Sequence, residues 1–243
     1  MKAIILAAGY ATRLYPLTMN KPKALLPIGN KPILNYITEQ IETIDAIDEI
    51  IIVSNLKFYD NFVKWKESYK TNIKITVLND NTTDDTNKLG AVGDMNFAID
   101  TLGICDDILV MAGDNIFTFL LKDFYNAYTA QNKDCILVKK IDSESDLKRM
   151  ANVVTDENSI VTDMVEKPPV PISNLAAFAS YIYKKDTLPL IKKYLAEGNN
   201  PDAPGFFPSW LHKVSPVYAY TFEGECYDIG TPESYEEVNK IFS

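Results

Sequence analysis

The chain has 243 residues, 47% of them hydrophobic and 23% charged, ordinary values for a soluble globular protein of one large or two small α/β domains. Its net charge of −9 argues against a general binder of nucleic acid or of an anionic membrane, since either partner asks for a basic face. Three cysteines, Cys105, Cys135 and Cys226, show no metal or redox spacing and read as free thiols of a reducing cytosol.

Taken in chain order, residues 4–7 form a short apolar run that reads as a buried strand. It breaks into the small residues Ala8 and Gly9, and the cations Arg13 and Lys23 follow. Small residues let a backbone approach a ligand closely and turn its N–H groups toward it. Arg and Lys neutralise phosphate oxygens, one as a planar fork and the other as a point charge. The segment therefore predicts a phosphate cradle. It does not read as a signal peptide, because the apolar stretch is short and runs straight into Arg13. No run approaches the roughly 20 apolar residues that a membrane span needs, so a soluble, cytoplasmic protein is expected.

Further strands are predicted at 49–53, 73–78 and 108–112, each rich in branched residues. Helices with apolar residues three and four apart are predicted at 33–44, 58–69 and 92–102. Alternation of this kind implies a parallel, doubly wound sheet, whose ligands bind beyond the carboxyl ends of the strands. The loop after the first strand and Asp114 after the fourth belong at that edge. The polar stretch 79–88 reads as a loop.

The second half is less regular. Strands are predicted at 135–139, 153–155, 160–165, 178–183 and 217–222, and helices at 187–195 and 232–242, a mixture that fits an insertion packed over the sheet edge. Residues 197–205 read as a second loop, with Phe206-Phe207-Pro208-Ser209-Trp210 expected to cover the site. The lone histidine, His212, reads as a surface or packed residue, and no Ser-His-Asp arrangement is supported.

Two carboxylates stand out. Asp114, in Gly113-Asp114-Asn115, is a hard oxygen donor suited to Mg²⁺, which takes one or two carboxylates plus phosphate oxygens and water. The same tripeptide also has the composition of a turn. Asp228, in Tyr227-Asp228-Ile229-Gly230-Thr231-Pro232, lies just before a helix start with Thr231 as N-cap.

The segments Leu6-Ala7-Ala8-Gly9, Thr12-Arg13-Leu14, Pro16-Leu17-Thr18 and Lys21-Pro22-Lys23-Ala24-Leu25-Leu26-Pro27 resemble the signature of the sugar-1-phosphate nucleotidyltransferases. The branch is that of the glucose-1-phosphate thymidylyl- and uridylyltransferases. Gly113-Asp114-Asn115, Glu166-Lys167-Pro168 and Asp228-Ile229-Gly230-Thr231 match in the same order, so the likeness spans nearly the whole chain. It implies an α/β fold, a single doubly wound, Rossmann-like mixed sheet with a small inserted β region (the nucleotide-diphospho-sugar transferase fold). One domain is expected over 1–243, with a nucleotide-binding half at 1–115 and an acceptor-binding half at 116–243. The activity implied is Mg²⁺-dependent condensation of a nucleoside triphosphate, dTTP or UTP, with a sugar-1-phosphate, giving an NDP-sugar and pyrophosphate.

The resemblance also assigns roles. Leu6, Ala7, Ala8 and Gly9 would contact the nucleotide, with Arg13 and Lys23 as catalytic cations. Asp114 and Asp228 would hold Mg²⁺. Lys167 would neutralise the acceptor phosphate and Glu166 would bond sugar hydroxyls. Asn79 and the backbone near Leu89-Gly90 would read the base.

Departures are visible. Many relatives carry a second glycine where this chain has Ala11, a Trp where it has Tyr227, and a Thr-Gly pair where it reads Phe178-Ala179-Ser180-Tyr181. Arg149-Met150-Ala151-Asn152 replaces a Tyr-Gly segment. The rival within the enzyme class is a CTP-dependent cytidylyltransferase acting on phosphocholine or a similar alcohol. The rival outside it is a non-catalytic nucleotide-binding regulator. A homodimer is expected from the family, and no acyltransferase or allosteric extension is expected after 232–242.

Overall fold

Short apolar strands alternating with helices are what the chain builds, in the expected α/β class. The computed structural model describes residues 1–243, which divide into two units. The first comprises Met1–Lys88, Met111–Lys122 and Gly224–Ser243, and the second Leu89–Val110 and Asp123–Glu223.

In the first unit the strand Lys2–Leu6 pairs in parallel with Glu49–Ser54, from Lys2 opposite Glu49 to Leu6 opposite Val53. Glu49–Ser54 pairs in parallel with Lys74–Asn79. All six residues of the middle strand are buried, as a strand covered on both faces requires. The helix Ile33–Ile41 buries Ile33, Leu34, Ile37 and Ile41, and Tyr59–Ser68 buries Phe62 and Trp65. Two three-residue strands that the sequence does not announce, Asn115–Phe117 and Cys226–Asp228, pair antiparallel and set Asp228 opposite Asn115. The helix Pro232–Ile241 follows. Thr231 caps it reciprocally with Ser234, and Pro232 occupies its first turn, as read from the sequence.

In the second unit five strands pair edge to edge. Val161–Val165, Ala151–Thr155, Leu175–Tyr183 and Asp134–Lys140 are successive antiparallel neighbours, and Val217–Thr221 joins Asp134–Lys140 in parallel. A bulge interrupts Leu175–Tyr183 between Phe178 and Tyr181. The helix Leu121–Gln131, absent from the sequence reading, buries Phe124 against Tyr220. Phe206–Leu211 is a helix whose Phe207 is fully buried among Tyr183, Tyr194 and Trp210, so this side chain packs the unit's core. His212 follows this helix half-buried, its Nε2 enclosed without a hydrogen bond.

Candidate active site

The site begins where the first strand ends. Ala7 N–H still donates to Val53 at 2.9 Å, but Ala8 directs its carbonyl to the Asn55 side chain at 2.7 Å. Asn55 is fully buried, and its Oδ1 accepts from Phe58 N–H, so one side chain ties the loop to the end of the neighbouring strand. Gly9 is exposed, and a Cβ there would meet nothing within 4 Å. Leu6 carbonyl accepts from Gly113 N–H at 3.0 Å.

After Gly9 the chain turns through Ala11, whose φ of 48° and ψ of 43° lie in the left-handed region that glycine favours. The buried Thr18 holds this turn by donating its hydroxyl to Ala11 carbonyl at 2.8 Å. Arg13 sits exposed in the 3-10 turn Thr12–Leu14, and Lys23 opens a second such turn, Lys23–Leu25.

Gly113 then explains how Lys23 and Asp114 meet. A Cβ at 113 would stand 3.1 Å from Leu6 carbonyl, 3.3 Å from Ala7 Cβ and 3.5 Å from Ala24 Cβ, so the bare backbone lets three segments close together. Asp114 follows in the turn into Asn115–Phe117. Turn and ligand readings of Gly-Asp-Asn are therefore compatible. Lys23 Nζ lies 2.8 Å from Asp114 Oδ2 and 3.7 Å from Asp228 Oδ1. One ammonium, with 14% of its side chain exposed, faces two carboxylates.

The Asp228 side chain keeps 70% of its surface open to water, yet crowding by protein atoms raises its pKa. The charge of Asp114 pushes the same way, while Lys23 and Arg13 oppose it. A cation between the two carboxylates relieves this repulsion. Two hard carboxylate donors that both approach the Lys23 ammonium fit a divalent ion completed by phosphate oxygens and water.

Asn79 ends its strand and accepts from Asn81 N–H, closing a turn at the start of the polar loop. Of the predicted residues, the first unit brings together Leu6, Ala7, Ala8, Gly9, Arg13, Lys23, Asp114 and Asp228. Asn55 and Thr18 were missed. Their only signal is a polar residue at a strand end and another inside the Pro16-Leu17-Thr18 motif.

The second unit carries Gly90, Glu166 and Lys167. Gly90 starts the helix Ala91–Leu102 with φ 79°, where a Cβ would press on Pro201 at 2.7 Å and Asp202 at 2.8 Å. The N–H groups of Ala91 and Val92 are taken by the carbonyls of Asp202 and Pro201. Packing thus accounts for this glycine.

Lys167, with φ 48°, is a left-handed non-glycine residue held by its N–H to Met150 carbonyl. Its Nζ lies 3.8 Å from Glu166 Oε1. The Glu166 side chain is buried and that of Lys167 half-exposed. Burial pushes the Glu166 carboxyl up against the pull of Lys167, and the charge of Glu166 in turn raises the fully buried Tyr181 hydroxyl, after burial itself. A carboxylate and an ammonium side by side suit a ligand that has both hydroxyls and a phosphate.

A family model described as nucleotidyl transferase matches residues 2–243. A bifunctional protein GlmU of Methanocaldococcus jannaschii is 32% identical, over 99% of this chain and 54% of its own length. Mannose-1-phosphate guanylyltransferase 1 of Arabidopsis thaliana is 30% identical, over 97% of this chain and 63% of its own length. The chain therefore spans roughly half to two-thirds of the curated relatives it matches. A crystal structure of UDP-glucose pyrophosphorylase complexed with UDP-glucose shares the fold at a TM-score of 0.82 and 22% identity, covering 99% of this chain and 97% of that one. With the signature loop, the paired carboxylates and a match over almost its entire length, the chain belongs to the nucleotidyl transferase family.

Proposed function

We propose that the chain condenses a nucleoside triphosphate with a sugar-1-phosphate in an Mg²⁺-dependent reaction, giving an NDP-sugar and pyrophosphate. The observation that carries this reading is the Lys23 ammonium between Asp114 and Asp228, beside a loop left open at Gly9. The acceptor's phosphate oxygen attacks the α-phosphorus in line, the bond from that phosphorus to the β-phosphate oxygen breaks, and pyrophosphate leaves with the electron pair. A sugar-1-phosphate is already anionic, so the protein's task is positioning and charge neutralisation more than proton transfer. Arg13 and Lys23 neutralise the triphosphate, and the Gly9 backbone admits it. Asp114 and Asp228 would hold the divalent ion, which supplies further neutralisation of phosphate charge. Lys167 and Glu166 serve the acceptor's phosphate and hydroxyls.

The signature's likeness to thymidylyl- and uridylyltransferases favours dTTP or UTP, while the Arabidopsis relative is named a guanylyltransferase. Pyrophosphate release with Mg²⁺, across dTTP, UTP, CTP, GTP and ATP against a panel of sugar-1-phosphates and phosphocholine, tests the reading. Release with a nucleotide and a sugar-1-phosphate is the expected result and identifies both. Release with CTP and phosphocholine alone would establish the cytidylyltransferase instead, and silence across the panel would refute the reading.

A further inference from the structure

Gly205 opens the helix Phe206–Leu211 with φ −72° and ψ −14°, ordinary right-handed values that any residue adopts. Its backbone therefore gives no reason for a glycine. Its surroundings do. A Cβ at 205 would fall inside the van der Waals envelope of Glu166 Oε2, 3.0 Å from Glu166 Cδ and 3.2 Å from Ala151 Cβ. The helix packs against Val161–Val165, the strand that leads into Glu166. The slot occupied by the Glu166 carboxylate is thus formed by the side chain that Gly205 lacks.

We propose that Gly205 is a positioning residue for acceptor recognition: by leaving room for Oε2 it fixes the orientation in which Glu166 presents its carboxylate to sugar hydroxyls. This rests on the acceptor role proposed for Glu166. The atom that a Cβ would meet is the far end of a flexible side chain, so an added methyl turns the carboxylate away while the fold survives. The substitution therefore acts on recognition more than on stability. Ala151 Cβ borders the same position, so Gly205 and Ala151 together limit the space beside the Glu166 carboxylate.

The test is steady-state kinetics of Gly205→Ala with the nucleotide and sugar-1-phosphate that the wild type uses. A carboxylate displaced by about 1 Å costs on the order of 10- to 100-fold in acceptor kcat/KM, mostly through KM, while the nucleotide KM stays within about twofold. Glu166→Ala alone and combined with Gly205→Ala completes a cycle. With the carboxylate gone only the 3.2 Å approach to Ala151 Cβ remains, which a shift of a few tenths of an ångström relieves, so the double variant should match Glu166→Ala and stay folded. An unchanged acceptor KM in Gly205→Ala would overturn the proposal, as would a further tenfold loss on adding Gly205→Ala to Glu166→Ala. A wild type silent with every sugar-1-phosphate would overturn the acceptor reading first and this inference with it.

Discussion

At the residue scale, the informative positions are those whose side chain conflicts with its setting. Ala11 holds a left-handed backbone that its Cβ disfavours, at the position where many relatives carry glycine. Strain of this kind costs about 1–3 kcal/mol, and replacement by glycine loosens the unfolded chain by roughly 0.4–1 kcal/mol. Ala11→Gly should therefore stabilise the protein by about 0.5–1 kcal/mol, read as a rise in the urea midpoint, and a fall would show that the turn is not strained. Lys167 has the same strained backbone and stands beside the buried Glu166. Lys167→Ala should raise the acceptor KM by about 10-fold or more and leave the nucleotide KM near wild type. Equal effects on both substrates would remove it from the acceptor side. Arg13 and Lys23 were legible as cations that follow a small-residue loop, whereas Asp114 and Asp228 read equally as a turn and a helix start and were singled out by the motifs that resemble the family's. Asn55 and Thr18 were not legible, since their partners, Ala8 and Ala11, become neighbours only through the fold.

At the scale of elements, strand register places charges as firmly as apolar residues. Lys2, Glu49 and Lys74 lie opposite one another across three parallel strands. Glu49 Oε1 accepts from Thr76 at 2.6 Å and meets Lys74 Nζ at 2.8 Å, and Lys2 Nζ lies 3.6 Å from Oε2. Burial alone would push this carboxyl up, but the bonds from Lys74 and Thr76 and the charges of Lys74 and Lys2 hold it below its ordinary value of 4.5. A depressed value means stability that is present above pH 4.5 and lost as pH falls through the folded value. Glu49→Gln should then cost about 1–3 kcal/mol in urea unfolding at pH 7, and the difference from wild type should shrink as pH falls below 4.5 through the folded value. A constant difference down to pH 3 would contradict this account.

Asn55 makes a comparable link between elements. Asn55→Ala leaves Ala8 carbonyl and Phe58 N–H without their side-chain partner and should cost about 2–4 kcal/mol, with a raised nucleotide KM. Loss of stability with unchanged nucleotide kinetics would separate the loop's support from its function. Strands and helices with clear periodicity were legible to within a few residues. The helix Leu121–Gln131 was not, because its buried Leu121, Phe124 and Tyr128 are diluted by Lys, Asp, Asn and Gln. Asn115–Phe117 and Cys226–Asp228 have three residues each, and each owes its form to a partner more than 100 positions away.

At the scale of the whole molecule, the class of fold followed from alternation in the first half, while the course of the second half did not. The segment Phe206-Phe207-Pro208-Ser209-Trp210 has the composition of an apolar cover, and only packing shows Phe207 in a core. No helix is long and apolar enough to cross a membrane. The negative charge of the whole and the cations of the signature loop act at different ranges, because screening limits a distant charge to about 8–10 Å at physiological salt. We propose that Asp114 and Asp228 jointly hold the divalent ion used in nucleotidyl transfer. The most direct test is the rate of Mg²⁺-dependent pyrophosphate release by Asp114→Asn and Asp228→Asn beside the wild type, with folding checked by circular dichroism. A loss of at least roughly 10³-fold is expected in each folded variant. Wild-type rates in either would contradict it.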